Sequence, residues 1–165
     1  MVDYFQPKSS MAIHYLQGDA TAPIGTGQKA IIHVCNDIGA WGAGFVLAIS
    51  KRWPYPEAQY KAWCQTKTNF TLGFVQPVRV ANDITVINMI GQRGVRSIRN
   101  LCPLRYDALE TCLTKVAGYC KQNNMSVHMP RIGCGLAGGD WEKVEAIINK
   151  TLILHGLEVY VYDFE

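Results

Sequence analysis

Residues 30–44 read AIIHVCNDIGAWGAG, an unbroken apolar run that gives way to an asparagine and then to glycines and alanines around one tryptophan. A strand covered on both faces reads as such a run, because neither face meets water. The small residues that follow have a different cause. Glycine reaches backbone conformations closed to other residues, and it carries no Cβ to hold a ligand away. The segment predicts a buried strand whose C-terminal loop closely approaches something, with a short helix beginning near Gly44.

Working outward, five further runs read as strands: AIHYLQ (12–17), LGFVQPV (72–78), ITVINMI (84–90), SVHMP (126–130) and EVYVYDF (158–164). Helical patterns lie between them. One covers 56–66, after Pro54 and Pro56. A second, 103–122, opens with Pro103 and places Leu109, Leu113, Val116 and Cys120 on one face. A third, 140–155, takes Asp140 as its N-cap and carries Val144, Ile148 and Leu152 in register. Strands alternating with helices predict an α/β sandwich around a central sheet.

GCGLAGG (133–139) is a second glycine-rich loop between a strand and a helix. In such loops backbone N–H groups and a helix N-terminus point at one place and form an anion site without a lysine. Two of them at carboxyl ends of strands predict a crevice that grips a diphosphate from both sides. Neither has the G-x-x-x-x-G-K-[ST] or G-x-G-x-x-G spacing, which argues against a kinase or a Rossmann dehydrogenase.

The 165 residues suit one domain over 11–165, with MVDYFQPKSS (1–10) read as a tail or tag remnant and no signal peptide. The apolar runs fall far short of a membrane span. A net charge of +3 is too small to argue for a nucleic-acid or membrane surface. Arg93, Arg96 and Arg99 read as a solvated loop, with an anion site as the alternative. Six cysteines (35, 64, 102, 112, 120 and 134) fall in strand-like, helical and glycine-rich positions without zinc-site spacing. They are expected to be reduced thiols in the cytoplasm, with no metal and no cofactor.

Taken in order, LQGDAT (16–21), IIHVCNDIGAWGAGFVLAI (31–49) and MPRIGCGLAGGDW (129–141) resemble a macrodomain, the ADP-ribose-binding module, over nearly all of residues 11–164. The resemblance implies a three-layer α/β/α sandwich with a central mixed, largely parallel sheet of about six strands. It implies that Asp19, beside Ala20, holds the adenine amino group. It places His33 to Asn36 with Gly42, Ala43 and Gly44 around the distal ribose and diphosphate, closed over by Trp41 or Phe45. Gly133, Cys134, Gly135, Leu136 and Ala137 then cover the diphosphate from the other side.

His33 stands where many macrodomains have the first Asn of the loop, and Ala43 replaces the middle glycine. The form IHxCNxxGxWGxG followed by RWPYPEAQYKAWC (52–64) looks most like the fungal ADP-ribose-1″-phosphate phosphatase branch. The loop GCGLAGGDW resembles macrodomains that remove ADP-ribose from acidic side chains or DNA bases. Those use a Lys after the fourth strand and, in protein-hydrolysing members, an Asp after GCGL; here the places hold Gln92 or Arg93 and Ala137.

The expected function is therefore an ADP-ribose-1″-phosphate phosphatase. The alternatives are a non-catalytic reader of ADP-ribose and a hydrolase of ADP-ribosyl conjugates. His33 is the acid/base candidate, because imidazole titrates near neutral pH. Asn36 would orient the distal ribose. Asp140 would polarise water or hold His33, or serve only as an N-cap. His14, His128 and His155 read as structural, and Trp53, Tyr60 and Trp63 as packing. The expected partners are ADP-ribose or a derivative and an ADP-ribosylated protein, with the chain a monomer in the cytoplasm, or nucleocytoplasmic in a eukaryote.

Overall fold

The computed structural model describes residues 12–164; the tail expected over 1–10 lies outside them. The elements in chain order are β1 (His14–Gln17), β2 (Gln28–Asn36), α1 (Phe45–Arg52), α2 (Tyr55–Thr66), β3 (Val75–Ala81), β4 (Ile84–Gln92), α3 (Tyr106–Gln122), β5 (Met125–Met129), α4 (Trp141–Ile148) and β6 (Val159–Asp163). Six strands form one sheet in the order β1-β6-β5-β2-β4-β3. Every neighbouring pair is parallel except β3 with β4. This is the expected mixed, largely parallel sheet, and it carries helices on both faces.

Two cores divide the faces. On one, Leu109, Leu113, Val116 and Cys120 of α3 and Val144 and Ile148 of α4 pack against Ile32, Met89, Val127 and Val161. On the other, Val46 and Ile49 of α1 and Tyr60 of α2 pack against Ile31, Cys35 and Val86. Successive β2 residues thus feed opposite cores, which is why its sequence is continuously apolar. Among the described residues no helix is long and apolar enough to cross a membrane.

Element ends depart from the sequence pattern for local reasons. The α3 helix starts at Tyr106 because the preceding residues are tied to β4: Leu104 bridges Gln92, and the Arg105 amide donates to the Gly91 carbonyl. The edge strand β3 starts three residues later than the apolar run, and Pro77 sits where an edge tolerates a missing N–H. Asp140 does cap α4, accepting from the Glu142 amide at 3.0 Å. After Ile148 the chain widens into a π-helical turn, Asn149–Ile153, which keeps Leu152 buried.

The centre of the sheet positions the site. β2 pairs with β5 only from Gln28↔Met125 to Ile31↔His128, while its other edge stays paired to β4 as far as Asn36. Beyond Ile31 the two strands part. The chain leaves β2 toward the α1 face and leaves β5 toward the α4 face, so a crevice opens at the carboxyl ends where the connections diverge. Open α/β sheets bind ligands at such a switch point.

Candidate functional site

The crevice holds two chambers that share Phe45 and Pro130 in their walls. The first, about 600 Å³, is lined by both glycine-rich loops, including Gly42, Ala43, Gly44, Gly133, Gly135 and Ala137, with His33 and Asn36. The second, about 650 Å³, is lined by Asp19, Ala20, Thr21, Arg52, Tyr162 and Phe164, among others. Together they make one elongated groove with a carboxylate at one end and bare backbone at the other.

Several amides of both loops lack internal partners. Among the described residues, the amides of Gly42, Ala43, Gly44, Phe45 and Val46 donate to no protein acceptor, and neither do those of Gly135, Leu136 and Ala137. A helix N-terminus leaves such amides unpaired unless a side chain caps it, and α1 has no side-chain cap. Its cap residue is Gly44 at φ 85° and ψ −151°, a conformation essentially confined to glycine. In the second loop, a Cβ on Gly139 would lie 2.5 Å from the Gly133 oxygen and from Leu104. That loop is compact because only hydrogen fits there.

At the other end, one Asp19 oxygen accepts from the Thr21 amide (2.8 Å) and hydroxyl (2.7 Å). The second oxygen lies 3.6 Å from the Arg52 guanidinium. Burial opposes the charge, but the two Thr21 bonds and Arg52 outweigh it, and the carboxyl titrates below its ordinary range. Asp19 is therefore an ionised acceptor facing the second chamber. Tyr162 and Phe164 come from the far end of the chain, placed there because β6 ends beside β1, where the Gly18 amide donates to the Asp163 carbonyl.

The other expected site residues are placed as follows. His33 is 2% exposed, with Nε2 2.6 Å from Asn88 Oδ1. The Asn88 amide nitrogen donates to Pro56 O and Gln76 Oε1, so its oxygen faces the ring and His33 carries its proton on Nε2. Burial lowers the His33 pKa to about 4, more than the Asn88 bond can restore. Asn36 Oδ1 accepts from the Ile38 and Ala40 amides and the Tyr60 hydroxyl, and its Nδ2 donates to Ala40 O. Its polar atoms thus shape the 37–40 turn. Asp140 is exposed and is not part of the groove wall. Trp41 does not close over the loop: it is 5% exposed, packed in the α1–α2 core, with Nε1 donating to Ser50. Cys134 packs against the main core, while its neighbours Gly135 and Leu136 line the groove.

Gln92, Val95 and Arg96 also line the glycine-loop chamber, so part of the arginine loop belongs to the site. Spacing offers no signal for this, because the contact depends on how the β4–α3 connection folds. All six thiols are unpaired. The packing histidine His128 is fully buried, between Ser126 Oγ at 2.8 Å and Tyr162 Oη at 2.7 Å.

His128 shares the lowered pKa of His33: burial first, then the Lys29 charge, bring it to about 4. In the unfolded chain both rings take protons near pH 6.5, whereas the native state refuses them until about pH 4. Their contribution is complete above pH 6.5 and is lost as pH falls toward 4, by about 3 kcal/mol per ring at most. Calorimetric melting temperatures should fall steeply across that window. A flat profile from 6.5 to 4.5 would mean that the rings charge inside the fold.

The fold and groove define an α/β module with an elongated groove at a switch point, glycine loops lining one end and a carboxylate the other. A solved macrodomain protein from Streptomyces coelicolor is 50% identical to the chain, covering 92% of this chain and 99% of that one at a TM-score of 0.83. The chain belongs to the macrodomain family. A Bacteroides thetaiotaomicron protein of unknown function is 55% identical over 93% of this chain and 98% of its own, at a TM-score of 0.90. Among curated relatives, the ADP-ribose 1″-phosphate phosphatase of Candida albicans is 26% identical over 90% of this chain and 99% of its own length. The mouse chromodomain-helicase-DNA-binding protein 1-like is 28% identical over 97% of this chain, which spans only 19% of that relative's length. No protein-family model matches the chain.

Proposed function

We propose that the chain binds ADP-ribose along this groove and hydrolyses ADP-ribose-1″-phosphate to ADP-ribose and inorganic phosphate. The observation that carries this reading is the pair of glycine loops, whose residues line one chamber with their amides unpaired while Asp19 lines the other. The groove's order matches the ligand: adenine toward Asp19, diphosphate between the loops, distal ribose beyond. The Candida albicans relative, named for this phosphatase activity, supports the choice of substrate.

In the reaction, water adds to phosphorus, the bond to the ribose oxygen breaks, and that oxygen leaves with a proton. Amides aimed at the developing charge stabilise the transition state without reorganising. His33 is neutral at pH 7 and engaged with Asn88, so we assign it to holding β2 and β4 together rather than to proton transfer. Asn36 sets the loop's shape. Asp140 caps α4, and its loss should cost about 1 kcal/mol of stability with little change in turnover. The six free thiols suit a reducing compartment, and we place the protein in the cytoplasm as a monomer.

The test is phosphate release from ADP-ribose-1″-phosphate by wild type and His33→Ala at several pH values. Wild type should release phosphate with no inflection between pH 6 and 8 that belongs to His33. The variant should retain activity within about tenfold, whereas loss of a general acid or base lowers turnover by roughly a hundred- to ten-thousand-fold. A larger loss without a drop in melting temperature would return the proton-transfer role to His33. The absence of a charged titrating side chain in the glycine loops favours a second reading, a non-catalytic ADP-ribose reader. Binding without phosphate release, with an ADP-ribosylated protein assayed in parallel, would select it.

A further inference from the structure

We infer that Arg96 is the residue that distinguishes a phosphorylated distal ribose from an unmodified one, by meeting the 1″-phosphate directly. The inference rests on reading the groove as an ADP-ribose site, not on turnover.

Two arginines line the glycine-loop chamber, Arg96 and Arg131. Arg131 is committed, its guanidinium bonding Asp163 at 2.7 and 2.9 Å. Arg96 takes part in no ion pair among the described residues. It lines the glycine-loop chamber and not the Asp19 chamber, so it lies in the half of the groove away from the adenine end.

The loop that carries Arg96 is folded. The Gly94 amide donates to Asp37 at 2.8 Å, and Asn100 Nδ2 donates to the Arg93 carbonyl at 2.8 Å and to that of Val95 at 3.2 Å. Ser97 and Asn100 exchange backbone hydrogen bonds. Asp37 spends a carboxylate oxygen on pinning this loop to the one after β2. The guanidinium is thus presented from an anchored turn.

The ligand chemistry fits. The diphosphate of ADP-ribose is already served by backbone amides from both loops. A 1″-phosphate adds a second anionic group at the far end, with a charge near −2 at neutral pH. A guanidinium is suited to such a group, because its planar fork donates two hydrogen bonds to phosphate oxygens. ADP-ribose lacks that group and leaves Arg96 in water. Arg93 and Arg99 lie on the same loop and add a screened, long-range attraction.

The experiment measures two constants for each protein: the KM, or the Kd if no turnover occurs, for ADP-ribose-1″-phosphate, and the Kd for ADP-ribose. Arg96→Gln should weaken the phosphorylated ligand about tenfold or more and leave ADP-ribose within twofold. Arg99→Gln, outside the groove wall, should shift the phosphorylated ligand by no more than about threefold, and less as salt rises. Equal weakening of both ligands by Arg96→Gln would place its contact on the shared diphosphate and overturn the inference; so would no change in either. Failure of wild type to release phosphate would sink the phosphatase reading alone, because the affinity ratio still reports on Arg96. Failure of both ligands to bind would remove the groove reading and this inference together.

Discussion

Gly135→Val should abolish measurable ADP-ribose binding, by a hundredfold or more, while the melting temperature of the free protein stays within a few degrees. Gly135 lines the groove at an ordinary backbone conformation, and a Cβ placed on it meets nothing within 4 Å. The added methyl groups would occupy the space next to the unpaired amides of Leu136 and Ala137, where the proposed site brings the diphosphate within hydrogen-bond distance. Gly42→Val should act in the same way from the opposite wall, since its Cβ is equally free of neighbours. Gly139→Ala provides the contrast. Its Cβ would collide with the Gly133 carbonyl and Leu104 at 2.5 Å, so the fold should lose about 1–3 kcal/mol from overpacking. Calorimetry and thermal melting on the three variants separate space needed by ligand from space needed by the protein. Full binding by Gly135→Val would remove the second loop from the site.

Asp19→Asn should weaken ADP-ribose by about tenfold to a hundredfold, with little change in stability. The substitution keeps an acceptor oxygen for the Thr21 amide and hydroxyl, so the 19–21 turn survives. It replaces the outer carboxylate oxygen with a donor, which cannot accept an adenine N–H. A hydrogen bond to a charged group contributes about 1.5–3 kcal/mol, which sets the size of the loss. Asp19→Ala should lose the same affinity and also some stability, because both Thr21 bonds go. Titration with AMP, which keeps the adenine but lacks the distal ribose and its phosphate, should show a similar ratio for Asp19→Asn. Unchanged affinity would move adenine recognition to Tyr162 and Phe164, which line the same chamber from the end of β6.

Much of this was legible in the sequence where the signal is local. The run AIIHVC had to be a two-faced strand, and β2 does feed both cores. Asp140 could be read as a cap because its chemistry involves only the next turn. The glycine loops were legible as a pair, each following a strand and leading into a helix, and both do line one chamber. What escaped depends on partners distant in sequence. Trp41 sits among small residues yet turns into the core, because Tyr60 and Ser50 form a slot for it there. The contact of His33 with Asn88, 55 residues away, leaves no mark on the local pattern. Arg96 and Phe164 reach the groove only through the folding of a loop and the end of the last strand, and periodicity carries no trace of either.

The most direct measurement is a calorimetric titration of the wild-type protein with ADP-ribose, AMP and ribose 5-phosphate at one salt concentration. A groove that joins Asp19 to two amide-lined loops through shared Phe45 and Pro130 should treat the ligand as a single piece. ADP-ribose should bind one to one and at least a hundredfold tighter than either fragment. No heat with ADP-ribose, or AMP binding equally well, would contradict the account.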